Sequence, residues 1–298
     1  MRINGLPAGT IAVGVDGSVS SQHALAFAID QAVAERRPLT LVHAVGAAGA
    51  LSADQEGHDR PAGLEDLKAH SQRLLAAARE AVTLRAPGLD VHEILEAADP
   101  RDALLAVARD ASLVVVGSRG RGPVGTLLLG SVSVAVTRHA TCPVVVVRPG
   151  NPGIVRHGIL VGADGTERSP VVLDFAFRQA SIRRPPLTVL HACWDLRAAL
   201  TAAQPVDGLD EGLEEHRLLL AECVAGLREK YPDVPVRTEL ATGPPDDCLL
   251  RLGKRMNMVV VGSHRGGAAS EVLFGSVAAR VVEHATCPVA VVPTGNRE

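Results

Sequence analysis

The sequence predicts an α/β protein built as two tandem domains, each a doubly wound parallel sheet covered by helices. Three observations carry this. Short, continuous runs of Val, Ile and Leu alternate with helix-period segments, the pattern of parallel strands buried on both faces. The alternation occurs twice, with recurring peptides about 145 residues apart. A length of 298 residues suits two domains, each able to bury its own core.

In the first half, the β-branched run Thr10–Val15 reads as a strand. Ser18, Ser20 or Ser21 can then cap a helix reaching about Arg37. Leu39–Val45 is a second buried strand. Leu67, Leu74, Leu75, Ala78 and Val82 recur at helical spacing, which predicts a helix over Leu64–Arg85. Val91–Leu95 is a third strand. Pro100 stands near the first position of a helix running to Asp110. Leu113–Val116 is a fourth strand, Ser131–His139 a helix and Val144–Val147 a fifth strand.

The repeat is explicit. His139-Ala-Thr-Cys-Pro-Val144 returns as His284-Ala-Thr-Cys-Pro-Val289, and Val114-Val-Val-Gly-Ser118 as Val259-Val-Val-Gly-Ser263, both at an offset of 145. Val13-Gly-Val-Asp-Gly17 matches Val161-Gly-Ala-Asp-Gly165, and Leu41-Val-His-Ala44 matches Val189-Leu-His-Ala192, both at 148. The period is far too long for a solenoid and marks duplication of a whole domain. The turn-rich Pro149-Gly-Asn-Pro-Gly153 separates domains expected at residues 1–150 and 151–298.

Composition excludes several classes. Thirty basic against 33 acidic side chains leave a net charge of -3, without the basic excess of a general nucleic-acid or anionic-lipid binder. Aromatics are 2%, too few for base-stacking platforms. Five cysteines without a CxxC pair argue against a disulfide framework or a cysteine-based zinc site, and fit a reducing, cytoplasmic setting. Neither a signal peptide nor a membrane span is expected.

The segment that carries chemistry is Gly117-Ser-Arg-Gly-Arg-Gly-Pro-Val-Gly-Thr-Leu-Leu-Leu-Gly-Ser131. It opens at the end of the fourth strand and closes at a helix start. Glycines let backbone approach an anion, and a helix N-terminus offers free N–H groups and a positive dipole end. Asp16 ends the first strand. If the first and fourth strands are neighbours, Asp16 and the glycine-rich loop face one crevice at the point where the winding reverses. Gly120-Arg-Gly122-Pro-Val-Gly125 matches GxGxxG, but it follows the fourth strand and the second copy lacks it. No Gly-Lys-Ser/Thr follows, so the loop is not a Walker A loop.

The spacing Gly-x2-Gly-x9-Gly-Ser, at Gly117, Gly120, Gly130 and Ser131, resembles the ATP-binding signature of the universal stress protein family. The VDGS-like first strand, the His-Ala at the end of the second and the Cys-Pro before the last extend the resemblance over both halves, which look like the tandem, actinobacterial type. The resemblance implies two adenine nucleotide alpha hydrolase-like sheets of five parallel strands in the order 3-2-1-4-5. It implies ATP with Mg2+ or Mn2+ at the carboxyl ends of the strands. Asp16 and Ala44 would line the adenosine end, while Gly117, Gly120, Gly130 and Ser131 would hold ribose and phosphates. The matching positions in the second copy are Asp164, Ala192, Gly262, Gly275 and Ser276, with Arg265 in place of Gly120. If that position needs a positive φ or close phosphate approach, Arg265 weakens the second site. The resemblance also implies a homodimer and a regulatory protein partner.

Plainer roles compete for several residues. Asp16 can cap the following helix. His139 and His284 sit near helix C-termini, where the dipole favours them. His43 and His191 are expected to be packed and hydrogen-bonded, and Cys142 and Cys287 to be small buried hydrophobes. Function is expected to be nucleotide-dependent regulation of a stress response or dormancy. The alternatives are a slow ATP hydrolase or phosphotransferase, and an interaction module with a vestigial pocket. Lys68, Lys230 and Lys254 are the only lysines, and none stands in a glycine-rich loop. No catalytic residue is assigned, and a metal ligand set is left open.

Overall fold

A computed structural model describes residues 5–46, 64–120, 129–149, 156–193, 209–263 and 275–295. The chain divides into two compact units, Met1–Pro149 and Gly150–Glu298.

The first unit runs β1 (Ile11–Gly14), α1 (Val19–Glu35), β2 (Leu39–Ala44), α2 (Leu64–Arg85), β3 (Val91–Glu96), α3 (Pro100–Val107), β4 (Leu113–Gly117), α4 (Ser131–His139) and β5 (Val144–Val147). Its strands lie in the order β3-β2-β1-β4-β5, and every pairing is parallel. β1 feeds β2 on one side and lies beside β4 on the other, with Ile11 opposite Leu113 and Val13 opposite Val115. The winding reverses between those two strands. β1, β4 and β5 are buried and carry no polar side chain, while β2 buries Thr40 and His43 with hydrogen-bond partners; Ile11, Val13, Leu39, Leu41 and Val114–Val115 are all fully enclosed. Each such side chain contributes about 1.5–3 kcal/mol relative to exposure.

The second unit repeats the plan with β6 (Ile159–Gly162), α5 (Ser169–Arg183), β7 (Leu187–Cys193), α6 (Leu209–Lys230), β8 (Val236–Thr242), α7 (Pro245–Gly253), β9 (Met258–Ser263), α8 (Ser276–His284) and β10 (Val289–Pro293). Its order, β8-β7-β6-β9-β10, is the 3-2-1-4-5 order again, parallel throughout. The scarce aromatics concentrate here: Phe177 is fully buried on α5, and its ring lies 5.9 Å from that of Tyr231.

Local chemistry sets the ends. Of the three serines that can cap α1, Ser18 does so, accepting from the Ser21 N–H at 3.1 Å. Asp99 caps α3 by accepting from the Arg101 N–H at 2.8 Å, with Pro100 in the first turn. α3 stops at Val107, three residues short of the sequence expectation. Arg109 and Asp110 bond back to Ala106 and Val107 in tighter turns. Cys142 and Cys287 are buried as small hydrophobes, and none of the five cysteines is in a disulfide. Among the described residues, no helix is long and apolar enough to cross a membrane.

Candidate functional site

In the first unit, β1 delivers Asp16 to the carboxyl edge of the sheet, where the Asp16 carboxylate accepts the Ser18 N–H at 2.9 Å. Ser18 is thereby oriented to cap α1, so the capping role belongs to Ser18 and Asp16 supports it. The other carboxylate oxygen, Oδ2, points at Gly120: a Cβ there would lie 2.7 Å from it. The adjacency of β1 and β4 thus brings Asp16 and the start of the glycine-rich loop to one place. The loop's two ends are tied together. The Gly130 N–H donates to the Ser118 carbonyl at 2.8 Å, and the Ser133 hydroxyl donates to the Gly117 carbonyl at 2.6 Å. The turns between, residues 121–128, lie outside the described residues.

The glycines serve different ends. A Cβ on Gly117 would come within 2.7 Å of the Ser20 backbone carbon and oxygen, so Gly117 is required by the close passage of α1 over β4. Gly117→Asp, the charge insertion that the motif suggests, would wedge that packing apart as well as repel phosphate. Gly130 caps α4 at φ -74, and the nearest atom to an added Cβ is 3.5 Å away. With no side chain on the cap, and Val134 the first residue to bond back to it, the N–H groups of Ser131, Val132 and Ser133 have no intrahelical acceptor. Ala44 ends β2, half-buried. Beside it, His43 is buried, donating from Nδ1 to the Val15 carbonyl at 2.6 Å, with Nε2 3.2 Å from the Ser71 hydroxyl.

The second unit holds a crevice of about 500 Å3, open at the carboxyl ends of β6, β7 and β9. Asp164, Ala192, Gly262, Gly275 and Ser276, the five positions that the motif marks in this copy, all line it. Ala163, Val172, Leu190 and Leu249 give it apolar walls. Its polar end is the first turn of α8: Ser276, Val277 and Ala278 line the space, and the first bond back to the Gly275 cap comes from Ala279. Three N–H groups there are left to a ligand or solvent. Arg265, Gly266 and Gly267 lie outside the described residues.

Asp164 is held more tightly than Asp16. Its Oδ1 accepts from the Thr166 N–H at 3.0 Å, the Thr166 hydroxyl at 2.8 Å and the Ser169 hydroxyl at 2.7 Å. Desolvation by itself would push this carboxyl up; the hydrogen bonds from Ser169 and Thr166 outweigh it and hold the group below its ordinary value. His191 also lines the crevice, with Nδ1 donating to the Ala163 carbonyl at 2.8 Å. Sequence reasoning placed His191 as a packed histidine and passed over its neighbours. Nε2 lies 3.0 Å from Nδ1 of His216, and Cys193 stands two residues along the same strand. His216 follows helical periodicity on α6, and only tertiary structure shows where it points.

Two parallel, doubly wound domains in tandem, the second with a crevice at its winding reversal, define a protein of the doubly wound α/β class. The model for the universal stress protein family matches residues 8–148 and again 156–293, and the chain belongs to that family. It is 34% identical to a universal stress protein of Mycolicibacterium smegmatis over 287 residues, 95% of this chain and 96% of that protein. A universal stress protein of Mycobacterium tuberculosis is also 34% identical, over 296 residues, 94% of this chain and 96% of its own. Among solved structures, a universal stress protein from Archaeoglobus fulgidus matches in fold with a TM-score of 0.70 at 18% identity, covering 97% of this chain and all (100%) of its own.

Proposed function

We propose that the winding-reversal site of each unit binds ATP, with Mg2+ or Mn2+ carried on its phosphates, and that the bound nucleotide acts as a signal in stress or dormancy regulation. The observation that carries this is the second-unit crevice. At about 500 Å3 it falls in the size range of small-ligand pockets, and its apolar walls end on the open first turn of α8. That arrangement suits a base and sugar at one end and a polyanion at the other. Asp164 and Ala192 would meet the adenosine, Gly262 and Gly275 would let the backbone close on ribose and phosphate, and the Ser276 hydroxyl would join the N–H groups. In the first unit Asp16, Ala44, Gly117, Gly120, Gly130 and Ser131 would do the same. The metal would neutralise phosphate charge, helped by a serine hydroxyl.

Binding without rapid turnover is the reading that the described residues favour. Phosphoryl transfer to water needs a group that orients the nucleophile. Among the described residues, the charged side chains lining the crevice are Asp164 and Arg168, and Asp164 is engaged by its own loop. Two chains would pair as a homodimer, and a protein partner would read the occupied state of the loops. Mass spectrometry of the small molecules released by denaturing the purified protein tests the ligand, with ATP as the expected species. Finding none, together with no ATP uptake at millimolar concentration, overturns it. Hydrolysis by the pure protein at about 1 per second or faster would make it an enzyme.

A further inference from the structure

We propose that His191, Cys193 and His216 form a binding site for a zinc-class divalent ion in the second unit. Each residue offers one ligand atom, and the three atoms lie within 4.8 Å of one another. Zinc holds imidazole nitrogen at about 2.0–2.1 Å and thiolate sulfur at about 2.3 Å, so tetrahedral ligand edges are roughly 3.3–3.6 Å. Two of the atoms, His191 Nε2 and His216 Nδ1, are already 3.0 Å apart. Closure needs side-chain movements of about 1 Å.

His191 and Cys193 stand at alternate positions of β7, so both side chains lie on one face of the strand. α6 brings His216 over that face. A carbonyl can only accept, so the Ala163 oxygen fixes the proton of His191 on Nδ1 and leaves the Nε2 lone pair for a ligand. Orientation of a ligating imidazole by a backbone carbonyl is the usual outer-shell arrangement of metal sites. On binding, the thiol of Cys193 releases its proton to solvent. The His216 proton moves from Nδ1 to Nε2, freeing Nδ1 to coordinate. Three protein ligands with solvent in the fourth position make an open site.

The first unit shows what simple packing of this corner requires. There His43 makes the same Nδ1 bond to a carbonyl and is completed by the Ser71 hydroxyl, and Val45 stands where the second unit has Cys193. Both partners differ in the second unit, and both differences supply metal ligands on separate elements. The His191–His216 hydrogen bond alone would give no use to the thiol.

The test uses the full, reduced, chelator-treated chain without nucleotide, so its result is independent of ATP binding. Zn2+ is titrated against a chromophoric chelator, and Co2+ is added as a spectroscopic probe. One equivalent binding with micromolar or tighter affinity is expected, and Co2+ should show thiolate charge transfer with intense tetrahedral bands. Cys193→Val with His216→Ser installs the first unit's own residues, so the fold is expected to survive, and affinity should fall more than about 100-fold. Three results would overturn the site: no saturable binding, undiminished binding in the double variant, or a Co2+ spectrum lacking the thiolate band. If the double variant does not fold, the stoichiometry and Co2+ spectrum of the unaltered chain decide.

Discussion

At the residue scale, the motif glycines separate by what a side chain would strike. Gly117→Ala forces a Cβ against the Ser20 backbone, which cannot swing away, and is expected to destabilise the first unit by about 1–3 kcal/mol. Gly130→Ala meets only ordinary contacts and loses a favourable cap residue, for less than about 1 kcal/mol. Urea denaturation of the two variants checks the order; equal stabilities would contradict it. Gly120→Ala instead displaces the Asp16 carboxylate. The spacing pattern alone marks all three glycines alike, because it records a need for no side chain and not its reason. Asp164 adds a pH signature. Its carboxyl lies below the ordinary value of 3.8 in the folded protein, so in acid the unfolded chain binds the extra proton. The stabilisation is complete above about pH 4–5 and is lost as pH falls through the folded-state value. Asp164→Asn should flatten the fall in urea midpoint on the acid side; an unchanged acid limb would contradict this.

At the scale of elements, α2 was legible because Leu67, Leu74, Leu75, Ala78 and Val82 keep helical spacing along an otherwise polar run, and the structure has it at Leu64–Arg85. Strands β1, β4 and β5 were legible because they are continuous apolar runs. The end of α3 was not, since nothing in Ala108-Arg-Asp110 breaks a helix by propensity; the tighter turns come from the chain reaching β4. Two helix ends run against local preference. α1 closes on Arg36 at φ 51 and α5 on Arg184 at φ 64, both exposed and both left-handed. Glycine adopts that conformation without a Cβ penalty. Arg36→Gly and Arg184→Gly should each leave stability unchanged or raise it, by up to about 1 kcal/mol. A loss beyond about 1 kcal/mol in calorimetric melting would show that the arginine side chains stabilise these ends.

At the scale of the whole molecule, the internal repeat made the tandem fold readable without any other sequence, since a strand order that holds in one half must hold in its copy. It also hid the differences between the copies. The histidine–cysteine–histidine cluster needs α6 to be laid over β7, which no local pattern specifies. The copies are expected to differ as nucleotide sites. Asp16 Oδ1 accepts a single loop N–H at 2.9 Å and keeps acceptor capacity for a ligand, whereas Asp164 Oδ1 holds three donors. Together with Arg265 in the place of Gly120, this predicts a second site weaker by about tenfold.

The most direct test is calorimetric titration of the full chain with ATP and Mg2+, alongside Ser131→Asp, Ser276→Asp and the pair. Aspartate in a helix's first turn favours the helix dipole, so the fold is preserved while phosphate is repelled. The expected result is two unequal sites per chain, with Ser131→Asp removing the tighter, Ser276→Asp the weaker and the pair removing both. ATP binding undiminished in the double variant would contradict the account.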